Sequence, residues 1–312
     1  MDKKQPSKNN PLPENDFTDQ HVENSHTEGE ERPRYQDHNS AAGVLEEVAP
    51  EAQSREALEE EQPQRIAKVI ARAGICSRRD AERLIEEGRV RLNGRKLTTP
   101  AQTVTSIDDI LIDGKPLPGA SGPRIFRYHK PAGLVTTNKD EKDRLTIFDK
   151  LPKELPRVVT IGRLDINTEG LLLLTNDGEI AQMLERPDTG WSRRYRVRVH
   201  GDLDLDKLRQ IKKGVTIDGI KYAPAKIELD QTQSEGKNIW LTVTLHEGKN
   251  REVKRLMEFC GLLVNRLIRL SYGPFQLGSL PKGAVEEIKP RILKDQVPGF
   301  EERMKKDKVR PS

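Results

Sequence analysis

The sequence predicts an α+β fold, in which a small module of helices and a hairpin precedes a larger domain with a mixed, largely antiparallel sheet. Helix and strand patterns follow one another in irregular order, which argues against the regular alternation of a doubly wound parallel sheet. Four consecutive leucines, residues 171–174, are too few for a free helix and indicate a buried strand. The 312 residues suffice for two or three domains with a sizeable core.

Charge is distributed unevenly along the chain. Residues 1–64 contain 16 acidic residues and six Lys or Arg, whereas the remainder contains 34 acidic and 48 basic residues. A basic body indicates a phosphate-rich partner, although charge alone also fits simple solubility. Residues 1–63 are rich in Asn, Glu, Gln, Pro and Ser without sustained periodicity, so we expect a disordered acidic tail there.

The composition disfavours several protein classes. Cys76 and Cys260 are too few and too distant for a disulfide framework, and no Cys/His cluster has the spacing of a metal site. No apolar run approaches the roughly 20 residues that span a bilayer, and the N-terminus lacks the apolar core of a signal peptide. We therefore expect a cytoplasmic protein that is a monomer and has no membrane partner.

Two short helices are predicted to begin the ordered part of the chain. In RIAKVIARAG, apolar residues recur at i, i+3, i+4 and i+7 from Ile66, and Gly74 is a natural helix stop. In SRRDAERLIEEG, Ser77 and Asp80 have the spacing of a capping box, and Gly88 ends the second helix. RVRLNGRKL follows, and its alternating pattern before an Asn-Gly turn predicts a hairpin.

This first module is strongly basic, with ten Lys or Arg and four acidic residues between positions 65 and 96. RIAKVIARAGICSRRDAERLIEEGRVRLNGRKL resembles the S4 RNA-binding module of ribosomal proteins and RNA-modifying enzymes, which implies an S4 domain at residues 64–115. Basic groups on a rigid helix pair suit the phosphates and shape of folded RNA. The candidates for RNA contact are Arg78, Arg79, Arg83 and Arg89. Each of them alone also fits a solvated charge.

A larger domain follows a linker. Residues 116–123, PLPGASGP, have linker composition, and we expect the larger domain at 124–293 and a flexible tail at 294–312. In GRLDINTEGLLLLTND, Asp165 lies in the loop ahead of the leucine strand, where we expect the floor or rim of a pocket. An Asp in such a loop can instead simply accept hydrogen bonds from loop amides.

Three segments of this domain resemble RNA pseudouridine synthases of the RsuA/RluB group, which place an S4 module before the catalytic domain. They are GRLDINTEGLLLLTNDGEIAQML, RRYRVRVHG and EGKNREVKRLMEFCGLLVNRLIRLSYGPFQLGSLPKG. Together with the S4 module, they run through residues 65–290. The third segment is most similar to the RluB branch, which acts on 23S ribosomal RNA of the large subunit. The resemblance implies that Asp165 is the catalytic residue.

The reaction that the resemblance implies requires no cofactor. Pseudouridine formation detaches uracil from its ribose at N1 and rejoins it through C5, without net redox change or a group donor. We therefore expect neither a cofactor nor a metal, which agrees with the lack of a P-loop and of a G-x-G-x-x-G motif in the sequence. The carboxylate of Asp165 can act as a nucleophile on base or sugar, or as a base toward the ribose; the sequence leaves these alternatives open.

An acid that must stay ionised in a partly dry pocket requires a nearby cation. Lys254 lies about 100° around its predicted helix from Val253, at the border of the buried stripe, where a long stem can reach a pocket. The resemblance implies that Lys254 pairs with Asp165, and the alternative is a boundary charge in solvent. Tyr195 shares a strand face with Val197. The resemblance implies that Tyr195 stacks on the target base, and the alternative is a packed core tyrosine.

Three further side chains are candidates for substrate or RNA contact. Arg163 either pairs with an RNA phosphate or fills the space left by the extruded base, as the resemblance implies, or it braces its own loop. Leu267 lines either the uracil pocket or the core. Lys130 belongs to KPAGLVTTNKDEKDRLTIFD, a charged segment that resembles a substrate-facing loop.

These observations predict a cytoplasmic, cofactor-independent synthase that isomerises a uridine of ribosomal RNA, above all 23S RNA, either free or in a pre-ribosomal particle. The rival is a non-catalytic S4 protein that binds ribosomal RNA as an assembly factor. Such a protein would have the same basic body, but it would not require Asp165, Tyr195 and Lys254 to meet. An S4-containing methyltransferase is disfavoured, because no glycine-rich nucleotide loop follows an early strand.

Overall fold

The computed structural model of the protein describes residues 62–235 and 237–308. The acidic tail predicted for residues 1–63 lies outside this part of the chain, apart from its last two positions. Within the described ranges, no helix is both long enough and apolar enough to cross a membrane.

The first region packs two helices against short strands. Its elements are β1 (Gln64–Arg65), α1 (Ile66–Arg72), α2 (Arg78–Glu86), β2 (Val90–Leu92), β3 (Arg95–Lys96), β4 (Thr103–Val104), β5 (Ile110–Ile112) and β6 (Lys115–Pro116). The predicted capping box is confirmed, because the Ser77 hydroxyl accepts from the Asp80 amide at 3.1 Å and donates to Asp80 Oδ2 at 2.6 Å. Ile66, Ile70 and Ile85 are fully buried in the core of this region.

Two small sheets complete the first region. β1 pairs with β4, and the strands β3, β2, β5 and β6 form an antiparallel sheet in that order. Asn93 and Gly94 join β2 to β3 with φ angles of 48° and 77°, the left-handed backbone that a tight two-residue hairpin requires. The hairpin predicted at Asn-Gly is therefore confirmed.

The second region is built on a nine-stranded mixed sheet. The strands of this region are β7 (Ile125–Lys130), β8 (Val159–Ile161), β9 (Thr168–Thr175), β10 (Arg193–His200), a separate hairpin of β11 (Val215–Ile217) and β12 (Ile220–Tyr222), β13 (Lys226–Glu235), β14 (Asn238–Leu245), β15 (Leu263–Tyr272), β16 (Phe275–Gln276) and β17 (Val285–Glu287). The sheet runs β13-β14-β10-β15-β9-β7-β17, with β8 on β9 and β16 on β15. β9 and β15 are parallel and the other pairs of the sheet are antiparallel, so the predicted fold class is confirmed.

Helices connect and cover this sheet. They are α3 (Gly178–Glu185), a 3₁₀ turn at Pro187–Thr189, α4 (Leu205–Lys213), α5 (Glu252–Phe259), α6 (Pro290–Gln296) and α7 (Phe300–Lys308). The cap of α3 is Asp177 and not the preceding Asn176: Asp177 Oδ1 accepts from the amide of Glu179 at 2.8 Å. Asn176 instead accepts from the Arg124 amide at 2.7 Å through its side chain, so it joins β9 to the start of β7.

Strand β9 is buried on both faces. Its leucines alternate between two cores: Leu171 and Leu173 pack with residues of α3, whereas Leu172 and Leu174 pack with residues of β7 on the other side. A strand covered on both sides is apolar throughout, because neither set of side chains meets water. The buried strand predicted from the leucine run is therefore confirmed.

The parallel strands β9 and β15 are in close contact at Gly170. This residue has a φ of +104°, and a Cβ atom there would lie 2.3 Å from the carbonyl oxygen of Arg269. Both facts favour glycine, which has no Cβ to clash and tolerates positive φ. Because Thr168 is the register partner of Leu267, this contact brings the loop ahead of β9 next to β15.

Residues 294–308 are mostly helical and docked, which contradicts the flexible tail expected there, while the last four positions of that expected tail lie outside the described residues. Residues 290–308 form α6 and α7, joined by a short turn. Leu293, Val297 and Phe300 are buried against a core that contains Ile180 and Leu184 of α3. The sequence did not predict this docking, because few apolar residues contribute to it and charged residues separate them.

Candidate active site

A cavity of about 570 Å³ lies where the loop ahead of β9, the strands β10 and β15, and the turn before α5 meet. Arg163, Asp165, Tyr195 and Leu267 line it, four of the residues that the sequence singled out. Lys254 reaches the same place from α5 through an ion pair with Asp165. The structure thus brings together side chains from four segments that are distant in the chain.

The ion pair between Asp165 and Lys254 is the central contact of this site. Lys254 Nζ lies 3.1 Å from Asp165 Oδ2, and the two side chains are 18% and 37% exposed. Partial burial reduces the screening that weakens ion pairs on an open surface. The contact therefore places a cation beside the carboxylate and leaves the carboxylate accessible to a molecule in the cavity.

The loop that carries Asp165 is held by hydrogen bonds along its length. The Thr168 amide donates to the Asp165 carbonyl at 3.0 Å, and the Thr136 hydroxyl donates to the Leu164 carbonyl at 2.8 Å. At the start of the loop, the Gly162 amide donates to Glu185 Oε1 at 2.8 Å. These contacts fix the backbone on both sides of the carboxylate, which preorganises its position.

Lys130 lies beneath this loop and not on a substrate-facing surface, so the structure corrects the expectation of substrate contact. Its side chain is fully buried at the end of β7. The ammonium lies 3.0–3.1 Å from four carbonyl oxygens, those of Pro131, Asp165, Ile166 and Thr168. Burial lowers the pKa of Lys130 to about 8, although the nearby Asp165 and Glu169 carboxylates oppose that shift. Lys130 is a positioning residue for the Asp165 loop.

The other cavity residues predicted from the sequence differ in exposure. Tyr195 is half-buried, packs against two of the hydrophobic cores and also lines the cavity, so it is in part a core residue, and its stacking on the target base stays a prediction. Leu267 is buried in one core and forms part of the cavity wall, and its contact with uracil likewise stays a prediction. Arg163 is exposed at the rim of the cavity.

The first residue of α5 contributes a buried acid to the cavity wall. Glu252, the first residue of α5, is 3% exposed, and its Oε2 accepts from the Lys249 amide at 3.0 Å. Burial and, secondarily, the neighbouring carboxyl of Glu247 raise the pKa of Glu252 to about 7. Arg251 precedes it with a φ of 52°, so the chain turns sharply into the helix that carries Lys254.

Sequence reasoning missed two cavity arginines, Arg193 and Arg269. Both are buried and line the cavity, and both guanidinium groups lie over the ring of Tyr272, with Cζ to centroid distances of 4.8 and 5.1 Å. Arg269 stands directly opposite Tyr195 in the register of β10 and β15. The sequence did contain a signal for Arg269. Within LIRL it lies two positions from Leu267, so this charged residue shares the inward face of a mostly apolar strand.

The four arginines proposed for RNA contact all lie on the exposed surface of the first region. Two are held by nearby acids: Arg83 pairs with Asp80, and Arg89 binds Asp113 through two hydrogen bonds of 2.6 and 2.8 Å. Arg83 and Arg89 must each release a carboxylate partner before they can bind a phosphate. Arg78 and Arg79 have no ion pair with any residue that the structure describes. They are the readiest anion-binding groups of the four.

Comparison with known proteins identifies the family. Residues 64–111 match the S4 domain model, and residues 124–259 match the model of the RNA pseudouridylate synthases. An RNA pseudouridine synthase of Rickettsia felis is 47% identical over 230 residues, which cover 74% of this chain and 99% of the relative. The chain belongs to the RNA pseudouridine synthases.

Further relatives agree with this assignment. The ribosomal large subunit pseudouridine synthase B of Yersinia pestis is 42% identical to this synthase over 234 residues, which cover 72% of each chain. A solved pseudouridylate synthase structure, at 25% sequence identity, superimposes with a TM-score of 0.53 and covers 75% of this chain and 99% of that one. The predicted enzyme class, an isomerase with an S4 domain, is therefore confirmed, and the rival, a non-catalytic S4 protein that binds ribosomal RNA as an assembly factor, is not supported.

The cavity of this synthase contains the kinds of group on which uridine isomerisation can draw. A uracil must leave its stack before its C5 can become accessible, and an aromatic ring offsets part of that cost. The ring of Tyr195 and the carboxylate of Asp165 both line this cavity, and Lys254 balances the charge of the carboxylate. Acid, aromatic face and cation are thus within one space large enough for a nucleotide.

Proposed function

We propose that this synthase isomerises one uridine of large-subunit ribosomal RNA to pseudouridine, with Asp165 as the catalytic residue. The observation that carries the proposal is the Asp165–Lys254 ion pair of 3.1 Å at a cavity that Tyr195 also lines. Tyr195 stacks on the extruded uracil, and Lys254 balances the charge of the carboxylate and orients it. Leu267 forms the apolar side of the base pocket, and Arg163 contacts RNA at the rim.

The substrate part of the proposal is supported by the relatives and by charge. Two of the similar proteins are named large-subunit pseudouridine synthase B, one from Yersinia pestis and one from Salmonella typhimurium, each 42% identical to this chain. The excess of basic residues after position 64 suits a folded RNA substrate. We place the enzyme in the cytoplasm, where ribosomal RNA is accessible, and propose that it acts as a monomer on 23S RNA.

The proposed domains keep the boundaries expected from the sequence, except at the C-terminal end. Residues 64–115 form the RNA-docking S4 domain, with Arg78, Arg79, Arg83 and Arg89 on its surface, and 116–123 link it to the catalytic domain. We extend the catalytic domain beyond residue 293, because α6 and α7 complete its core. The S4 domain supplies RNA affinity through phosphates, while the cavity supplies the chemistry.

Mapping of pseudouridines in ribosomal RNA tests this proposal most broadly. In cells that lack the protein, one site of 23S RNA is expected to lose its pseudouridine, and re-expression of the wild type, but not of an Asp165→Asn variant, is expected to restore it. An unchanged modification map would contradict the ribosomal substrate. Restoration by the Asp165→Asn variant would contradict the role of the carboxylate.

A further inference from the structure

Two arginines on the cavity wall have no role in the reaction as described so far. Arg269 is 2% exposed and Arg193 is 9% exposed, and both line the same cavity as Asp165. Their guanidinium groups lie over one ring, that of Tyr272. The ring is itself fixed, because its hydroxyl donates to the Leu184 carbonyl at 2.9 Å and Trp191 packs edge-on against it. The two cations are therefore held rigidly in place.

The hydrogen-bonding capacity of these guanidinium groups is only partly used. Arg269 donates through Nε to the Leu171 carbonyl at 2.7 Å, and its Nη2 is buried without an acceptor among the residues that the structure describes. Arg193 donates to the Trp191 carbonyl at 3.0 Å and to the Tyr272 hydroxyl at 3.3 Å. Across residues 62–235 and 237–308, neither arginine forms an ion pair with a carboxylate.

Two other buried charged side chains among the described residues are compensated. Lys130 is surrounded by four carbonyl oxygens, and Glu169 is paired with Arg266 at 2.7 Å and with Lys282 at 2.6 Å. Burying a cation without an anion costs free energy, which stacking on an aromatic ring offsets only in part. Two such cations on one cavity wall, both packed on the Tyr272 ring, indicate that an anion completes the site when substrate is bound.

The position of the pair indicates which anion that is. Arg269 is the register partner of Tyr195, and Arg193 lies two residues from Tyr195 on the same strand, so both flank the ring proposed to stack on uracil. A nucleotide extruded into this cavity brings its flanking phosphates with it, at one negative charge each. We propose that Arg193 and Arg269 bind a phosphodiester adjacent to the extruded uridine and so hold the nucleotide in its unstacked state. This inference rests on the proposed function, because it takes RNA as the occupant of the cavity.

A neutral acceptor is the competing occupant. A uracil carbonyl could accept from one guanidinium group, but it would not balance two positive charges. The two cases differ in a measurable way: binding of a phosphate releases counterions and steepens the salt dependence of RNA affinity, whereas a contact with a neutral carbonyl does not.

The test measures RNA affinity as a function of KCl concentration. The protein carries Asp165→Asn, so that the bound RNA stays unconverted, and the RNA is a large-subunit ribosomal RNA transcript. Adding Arg269→Gln is expected to weaken binding about 10- to 100-fold at low salt. It is also expected to make the slope of log affinity against log salt concentration shallower by about 0.7–0.9 for each phosphate that the variant no longer binds. An unchanged slope would overturn the inference, whatever happens to activity.

Matched variants separate the phosphate site from other effects. Arg194→Gln removes one charge from the same strand, but its side chain is exposed and bonded to Gln276, so we expect the slope to stay as in the parent. Arg269→Lys keeps the charge and is expected to retain most of the slope. If Arg269→Gln does not fold, Arg193→Gln gives the same readout. The wild type is assayed in parallel for tritium release from the transcript labelled at uridine C5. A shallower slope without any release by the wild type would refute the proposed function but support the anion site.

Discussion

At the scale of single residues, the site depends on how three kinds of side chain are held. Asp165 is fixed by its loop and by Lys254, and the loop in turn is fixed by the buried ammonium of Lys130. Tyr195 is anchored by packing on part of its ring, which leaves another part for the cavity. The side chains that we propose for the reaction are therefore positioned before substrate arrives, which reduces the entropy that binding must supply.

Replacing the ring of Tyr195 tests its role in stacking. We expect Tyr195→Leu to lose about 1–3 kcal/mol of transition-state binding, a decrease in kcat/KM of roughly 5- to 150-fold, because leucine has no π-face for the base. Tyr195→Phe keeps the ring and is the matched control, expected to retain binding of the base. Tritium release from C5-labelled RNA measures both. A leucine variant as active as the wild type would show that Tyr195 is only a core residue.

The buried carboxyl of Glu252 predicts a pH dependence of stability. Its pKa is raised to about 7 in the folded protein from an ordinary value of 4.5, so the folded state binds more protons than the unfolded state between these values. Its stabilising contribution is present below pH 4.5 and is lost as the pH rises through 7. Glu252→Gln mimics the protonated form, so the unfolding free energy of the wild type minus that of the variant should fall from about pH 5 to about pH 8.

Urea unfolding at several pH values measures this difference. Glu258→Gln, an exposed position on the same helix, is the control and should leave the pH dependence of the wild type unchanged. A Glu252→Gln variant with the same pH profile as the wild type would show that this carboxyl does not titrate in that range.

At the scale of elements, the C-terminal helices connect to the core around α3. Phe300 begins α7 and is 1% exposed. Arg303 of the same helix binds Asp177, the cap of α3, at 2.7 Å. The helix pair is thus joined to the second region by an apolar anchor and by an ion pair at a capped helix start.

Phe300→Ala is expected to lower the free energy of unfolding by about 3–5 kcal/mol, because it removes a large side chain from a closed core. Ile292→Ala on α6 is the control: this residue is 46% exposed, and its truncation should change stability by no more than about 0.5 kcal/mol. Thermal or denaturant unfolding compares the two. Equal, small effects would mean that residues from 294 onward are not docked in solution.

The sequence predicted the elements with strong local signals and missed those that depend on tertiary contacts. The Ser77 capping box, the Asn-Gly hairpin and the leucine strand are local patterns, and all three are confirmed. The docking of residues 294–308 and the burial of Lys130 depend on partners far away in the chain. Lys130 in particular ends a strand and precedes Pro131, a pattern typical of an exposed turn. Only the fold shows that its ammonium bonds the loop of Asp165.

At the scale of the whole molecule, ionic contacts join the first region to α3 and α7. Lys68 of α1 pairs with Glu179, and Arg72 of the same helix lies 3.5 Å from Asp177. Arg303 of α7 bonds to both of these acids. The first region, on which RNA would bind at α2, is therefore ion-paired with the start of α3. This helix directly follows β9.

Removing charge from α2 should weaken RNA binding without changing the chemistry. We expect the Arg78→Gln, Arg79→Gln double variant to bind a ribosomal RNA transcript more weakly, with a salt slope shallower by about 0.7–0.9 for each phosphate released from the protein surface. Its single-turnover rate at saturating RNA should equal that of the wild type, because neither residue lies at the cavity. Arg209→Gln on α4, where the arginine pairs with Asp206, is the control. A reduced chemical rate at saturation would contradict this division of labour.

Tritium release catalysed by an Asp165→Asn variant tests the central claim most directly. The substitution keeps the size of the side chain and removes the negative charge that Lys254 balances. With ribosomal RNA tritiated at uridine C5, we expect release to fall by at least about 10²–10⁴-fold while RNA affinity stays within a few-fold of the wild type. Asp188→Asn, at an exposed position, should release tritium at the wild-type rate. Release by Asp165→Asn at the wild-type rate would contradict the claim that this carboxylate carries the reaction.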